Sequence, residues 1–163
     1  MQSLTSTETP ATVLVGMSQI EIVSNGESAR AVLGSCIGLV LYHPLRRIGA
    51  MAHIVLPDGK DRSGPPGKFA DSAYPEMMRL LGQHGVGRVG LVAKLAGGAS
   101  MFGGGGPLQI GEANYSAVKA ILQSAQVPIT GEHARGGKGR RITLDSSTGQ
   151  VQVEIAGNPP VVL

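Results

Sequence analysis

The sequence has no tryptophan, one cysteine and few aromatic rings: Tyr42, Phe69, Tyr74, Phe102 and Tyr115 in 163 residues. So few rings argue against a single-stranded nucleic-acid binder, whose bases stack on aromatic platforms. One cysteine, Cys36, excludes an intramolecular disulfide framework and any paired CxxC site. A free thiol also fits a reducing compartment. Charged residues make up 15% of the chain, below the usual 25% or so. The net charge of +3 favours solubility without naming a partner. The longest apolar run, Val89 to Phe102, is interrupted by Lys94 and several glycines. It falls short of the roughly 18 apolar residues that a membrane span needs. The opening stretch MQSLTSTETPAT is polar, with neither a basic nor an apolar signal region, so the expected location is the cytoplasm, without membrane insertion.

What the chain does have is 25 glycines and 10 prolines on a 42% hydrophobic background. That composition indicates a folded, turn-rich domain rather than a helical bundle or a disordered chain. Residues 1–11 read as a polar tail and 12–163 as one domain. Val13–Met17 and Ile20–Val23 are predicted strands, and the apolar stretch Ala31–Tyr42 is interrupted at Gly34-Ser35-Cys36-Ile37-Gly38. A turn at His43–Arg47 leads into a predicted strand over Ile48–Leu56. Its more uniformly apolar face carries Ile48, Ala50, Ala52, Ile54 and Leu56, which puts His53 on the other, less buried face.

A Gly- and Pro-rich loop over Pro57–Lys68 precedes a helix with Tyr74, Met77, Met78 and Leu81 on one stripe, capped by Asp71 or Ser72. Val89–Leu95 is a further predicted strand, followed by the glycine loop Gly103–Gly106. A second helix over Glu112–Gln126 carries Val118, Ile121, Leu122 and Ala125, and Arg141–Leu144 pairs with Gln150–Ile155 as a hairpin. The expected fold class is α+β: mixed or antiparallel sheets, sandwich-like, flanked by two main helices.

Cys36 is the most informative residue for chemistry. It lies between Gly34 and Gly38 in an apolar setting, where glycine lets a backbone turn tightly and a substrate come close. A thiol there is a candidate nucleophile, with the backbone of Gly34 and Ser35 as candidate oxyanion support; the plainer alternative is a small buried hydrophobe. A thiol nucleophile needs a base. Of His43, His53, His84 and His133, only His53 sits within a predicted strand one hairpin after the cysteine. No metal-ligand spacing is present. Gly103–Gly106 is followed by Pro107 without the Lys-Ser/Thr of a phosphate loop. Arg135–Arg141 is the one dense basic run, read as a solvated loop or as a docking surface for an acidic partner.

Taken in order, several segments resemble the CheD family of chemoreceptor glutamine deamidases. They are Leu33-Gly34-Ser35-Cys36, Gly49-Ala50-Met51-Ala52-His53-Ile54-Val55-Leu56-Pro57, Lys68-Phe69-Ala70-Asp71 and Lys94-Leu95-Ala96-Gly97-Gly98-Ala99-Ser100-Met101-Phe102. Ile110-Gly111-Glu112-Ala113-Asn114, Gly136-Gly137-Lys138-Gly139-Arg140 and Thr148-Gly149-Gln150-Val151 complete the set. The resemblance implies that Cys36 is the nucleophile and His53 its base, on a fold akin to the catalytic domain of deamidating cytotoxic necrotizing factor toxins. It also implies a threonine a few residues before the cysteine. Arg30-Ala31-Val32 stands there instead, which leaves Ser28 or a backbone carbonyl to orient His53.

The implied activity is deamidation of glutamine side chains on the cytoplasmic helices of chemoreceptors, with no metal or organic cofactor. A CheC-type phosphatase is a further candidate partner. The alternatives are a binding module of the same fold, docking on receptors or phosphatase without significant catalysis, and a thiol esterase acting on receptor methyl esters. A macromolecular substrate further predicts a shallow groove floored by Gly34–Cys36. Its expected walls are Gly59–Lys68 and Gly97–Gly106, with Lys138, Arg140 and Arg141 steering an acidic helix.

Overall fold

The computed structural model describes residues 10–60, 62–101 and 109–163. The predicted loop Gly103–Gly106 and most of the polar tail lie outside them. Among the described residues, ten strands and two α-helices follow in chain order. They are β1 (Thr12–Leu14), β2 (Ile20–Ser24), β3 (Ser28–Leu33), β4 (Ile37–His43) and β5 (Ile48–Ile54), then α1 (Ala70–Gly82) and β6 (Val92–Gly97). The remainder are α2 (Ile110–Ser124), β7 (Ile129–Ala134), β8 (Arg140–Asp145), β9 (Val151–Glu154) and β10 (Val161–Val162).

The strands form two five-stranded sheets, ordered β1-β3-β8-β9-β10 and β2-β5-β4-β6-β7. Each is mixed: β1 runs parallel to β3 and β6 parallel to β7, and the other pairings are antiparallel. Two cores make three layers. One core lies between the second sheet and the helices, with Ile37, Leu39 and Leu41 of β4 against Met77 and Leu81 of α1 and Val118 and Leu122 of α2. The other lies between the sheets and holds Leu33, Val40, Tyr42, Met51, Ile142 and Cys36. This is the α+β single domain that the sequence predicts.

The middle strands explain one difference from the sequence reading. A strand covered on both faces reads as a near-continuous apolar run, and β5 is buried along its whole length. His53 is therefore not on a less buried face. It is 4% exposed and faces the other sheet. Helix α1 differs as well: no side chain caps it. Asp71 instead accepts the Gly59 N–H at 3.0 Å, and the Ser72 hydroxyl donates to the Pro66 carbonyl at 2.6 Å. These two side chains tie the 57–68 loop to the helix start.

Candidate active site

Cys36 ends the short turn between β3 and β4. The carbonyls of that turn are held from β6: the Gly98 N–H donates to the Cys36 carbonyl at 2.9 Å and the Ala99 N–H to that of Gly34 at 3.0 Å. The contact is so close that only glycine fits at 97, where φ is +109° and a Cβ would meet the Cys36 carbonyl oxygen at 2.2 Å. Helix α2 closes in from the same side, since a Cβ on Gly111 would lie 2.4 Å from the Ala99 carbonyl. Gly97, Gly98 and Gly111 thus let three backbone segments meet beside the turn.

In the β4–β5 pairing Gly38 stands opposite His53, and Ile37 opposite Ile54. Cys36, just before β4, joins the core between the sheets, and His53 faces the other sheet from the alternate positions of β5, so the thiol and the imidazole lie on one side of this sheet. Directly opposite His53 there is no side chain at all, because Gly38 is the partner. That glycine is required by packing: a Cβ there would lie 2.6 Å from Ile142 Cδ1 and 3.0 Å from Leu33 Cδ1.

The imidazole of His53 is oriented from the other sheet. Its Nδ1 lies 2.9 Å from the Val15 carbonyl. A carbonyl oxygen only accepts, so Nδ1 carries the proton and Nε2 of the neutral ring is left as an acceptor. Val15 follows β1 and is fixed by its own N–H, which donates to the Arg30 carbonyl at 2.8 Å. Arg30, in the stretch 30–32 where the resemblance implies a threonine, thus takes part through its backbone. Its side chain turns to Thr143 instead. Of the two orienting groups that the sequence left open, the backbone carbonyl is the one in contact; Ser28 lies at the start of β3, with its N–H bonded to Ala11.

Cys36 is 8% exposed, and burial pushes its thiol above the ordinary cysteine range. Burial thus favours the neutral thiol over the thiolate. Among the described residues no hydrogen bond occupies the backbone N–H of Ser35 or Cys36. Met101, half exposed, rests against Gly34. An open cleft of about 200 Å³ begins beside the turn, lined by Gly98, Ser100, Gln109, Glu112, Arg135 and Gly136. Arg135 crosses it, paired with Glu112 at 3.1 Å and stacked on the Tyr115 ring.

The other histidines are occupied elsewhere. His43 Nδ1 accepts the Arg46 N–H in the β4–β5 turn, and His84 lies in the turn after α1. His133 Nδ1 meets the Arg140 guanidinium at 2.7 Å. Arg140 corrects the sequence reading, which counted it with Lys138 and Arg141 as a docking charge. It is 4% exposed and donates to the carbonyls of His133, Arg135 and Lys138. Arg140 holds the 135–139 loop together; it does not face a partner. Among the described residues no group of three or more His, Cys, Asp or Glu could hold a metal ion.

Comparison with known proteins places the chain in a family. The family model described as "CheD chemotactic sensory transduction" matches residues 55–155. This chain belongs to the CheD family. Proteins named "Probable chemoreceptor glutamine deamidase CheD" are similar to it over most of their length. The one from Symbiobacterium thermophilum is 40% identical over 151 residues, covering 88% of this chain and 92% of that protein. The one from Clostridium kluyveri is 44% identical over 130 residues, covering 77% and 80%; one from Clostridium botulinum is 38% identical over 151 residues. As a CheD protein the chain is a chemotaxis protein, and no described helix is long and apolar enough to cross a membrane.

Two participants escaped the sequence reading. The Val15 carbonyl left no signal, since any residue supplies one. Asn114 left a signal: it lies four and eight residues before Val118 and Leu122, on the apolar stripe of α2. It is fully buried there, and its amide donates to the carbonyls of Ser35 at 3.0 Å and Val55 at 2.9 Å.

Proposed function

We propose that this chain deamidates glutamine side chains on the cytoplasmic helices of chemoreceptors, with Cys36 as nucleophile and His53 as its base. The observation that carries the reading is the 2.9 Å bond from His53 Nδ1 to the Val15 carbonyl, which leaves Nε2 as the acceptor on the face that Cys36 shares. His53 takes the thiol proton as Sγ attacks the amide carbon, so a neutral buried thiol is a competent resting state. The N–H groups of Ser35 and Cys36 stabilise the oxyanion that develops. As the C–N bond breaks, the same proton passes from His53 to the leaving nitrogen, and ammonia departs.

Water then attacks the thioester with His53 again as base. The carboxylic acid is released, Cys36 recovers its proton, and the new glutamate ionises. Each turnover replaces a neutral side chain by an anion and changes repulsion between packed receptor helices. A cytoplasmic location follows from a substrate of this kind, and a CheC-type phosphatase is a second partner to test.

The test is ammonia release and the accompanying amide-to-acid mass gain on purified receptor cytoplasmic fragments. Release by the wild type and none by Cys36→Ala supports the reading. Equal release by Cys36→Ala overturns it. Receptor binding without any mass gain identifies a docking module, and methanol release from methylated receptor identifies an esterase.

A further inference from the structure

Asn114 is fully buried in the first half of α2, where a helix interior has no use for an asparagine. Its amide nitrogen lies within hydrogen-bond reach of two carbonyl oxygens, those of Ser35 and Val55. Two acceptors fix its orientation chemically: turning the amide over would set oxygen against oxygen. The Oδ1 left behind is buried and has no partner among the described residues. An unmade buried acceptor is costly, so the fold retains this side chain for its two donors.

The Ser35 carbonyl and the Cys36 N–H belong to one peptide unit. No described peptide bond is cis, and in a trans peptide the C=O and N–H point in opposite directions across a rigid plane. Holding the Ser35 oxygen toward α2 therefore aims the Cys36 N–H away from α2, with the turn as pivot. A hydrogen bond accepted at a carbonyl also polarises the N–H of the same unit, making it a better donor. The second bond, to Val55, pins the chain two residues beyond His53 to the same side chain.

We propose that Asn114 is a positioning residue for the reaction: through the Ser35 carbonyl it sets the direction and donor strength of the Cys36 N–H that receives the oxyanion. This rests on the reading of Cys36 as the nucleophile, and it adds how the turn is held in register with the strand carrying His53. The predicted signature separates two reactions of one thiol. Acyl transfer to Sγ develops negative charge on oxygen and uses the Cys36 N–H. Displacement of iodide from iodoacetamide develops none there and does not.

The experiment measures both on the purified full chain, using p-nitrophenyl acetate for acylation and iodoacetamide for alkylation, with Cys36→Ala as the blank. In Asn114→Ala and Asn114→Ser, Cys36-dependent acylation should fall roughly ten- to a hundredfold. That is short of the ~10²–10³ lost with an oxyanion donor itself. Alkylation should change less than about twofold, and receptor deamidation should lose kcat with KM kept. Unchanged acylation, or an equal loss of acylation and alkylation, overturns the proposal; the second pattern would make Asn114 a support for the fold alone. A wild type that releases no ammonia from receptor, yet shows Asn114-dependent acylation, overturns the deamidase reading and leaves this one standing. If neither variant folds, wild-type Cys36 is acetylated and its amide proton followed by NMR. A downfield shift supports the proposal, and an unmoved resonance overturns it.

Discussion

Burial of Cys36 has a direct consequence for its pH behaviour. The thiolate is the alkylated form, and desolvation raises the thiol above the ordinary range. In the free protein the iodoacetamide rate should therefore climb with pH beyond the point, about pH 8.5, where an exposed thiol levels off. A plateau below neutrality would indicate a preformed thiolate instead. Gly38 gives a second test at this scale. With Ile142 and Leu33 where its Cβ would go, Gly38→Ala should destabilise the protein by about 1–3 kcal/mol in urea unfolding. The thiol and the imidazole were both legible in the sequence, the first from its glycine frame and the second from its place in a strand. Their orienting groups were not. The missing threonine left Ser28 or a backbone carbonyl open, and no residue type singles out the carbonyl of Val15.

Strands and turns carry the next set of expectations. The basic loop between β7 and β8 divides into unlike parts. Arg140→Ala removes a buried guanidinium shared among three carbonyls and should cost at least about 2 kcal/mol. Arg141→Ala breaks an exposed pair with Glu154 and should cost under about 1 kcal/mol. Thermal melts of the two single variants decide this, and equal losses would refute the division. The sequence showed a run of positive charge, but charge alone does not say which side chain points inward. The burial pattern of β8 alternates from Arg140 onward, and that register was invisible without the pairing to β3. Elements rich in local signal, such as α1 and β5, were found at nearly their true bounds. Strand β7 was missed because Thr130, Gly131, Glu132 and His133 give it no apolar alternation.

At the scale of the whole molecule, Tyr42 makes a polar tie between the two sheets. Its hydroxyl, on the second sheet, donates to the Ser146 carbonyl beyond β8 at 2.6 Å. Tyr42→Phe leaves that carbonyl unsatisfied and should lower stability by about 1–3 kcal/mol, with activity per folded molecule kept, since the tie is remote from the Cys36 turn. Denaturant midpoints with parallel activity assays check both halves. The α+β class and the two flanking helices were readable from periodicity. The sandwich-like sheets were expected too, but which strand joins which sheet was not readable, because that depends on partners far apart in the chain.

The pairing of β3 with β8 joins residues more than a hundred positions apart, as in the contact of Arg30 with Thr143. Chain order therefore becomes an order in time. The β4–β5 hairpin that carries Cys36 and His53 leaves the ribosome early, and its two strands are neighbours in sequence. The sheet that roofs them is incomplete until residue 162 has emerged, and non-local pairing of this kind is slow to form. For most of its synthesis the chain carries its thiol on an open hairpin, with neither the Val15 carbonyl nor the sheet built on β3 and β8 in place around it. A nascent chain can meet electrophiles and oxidants before it can meet its substrate, and the newborn protein is at its most vulnerable at the residue on which its chemistry depends.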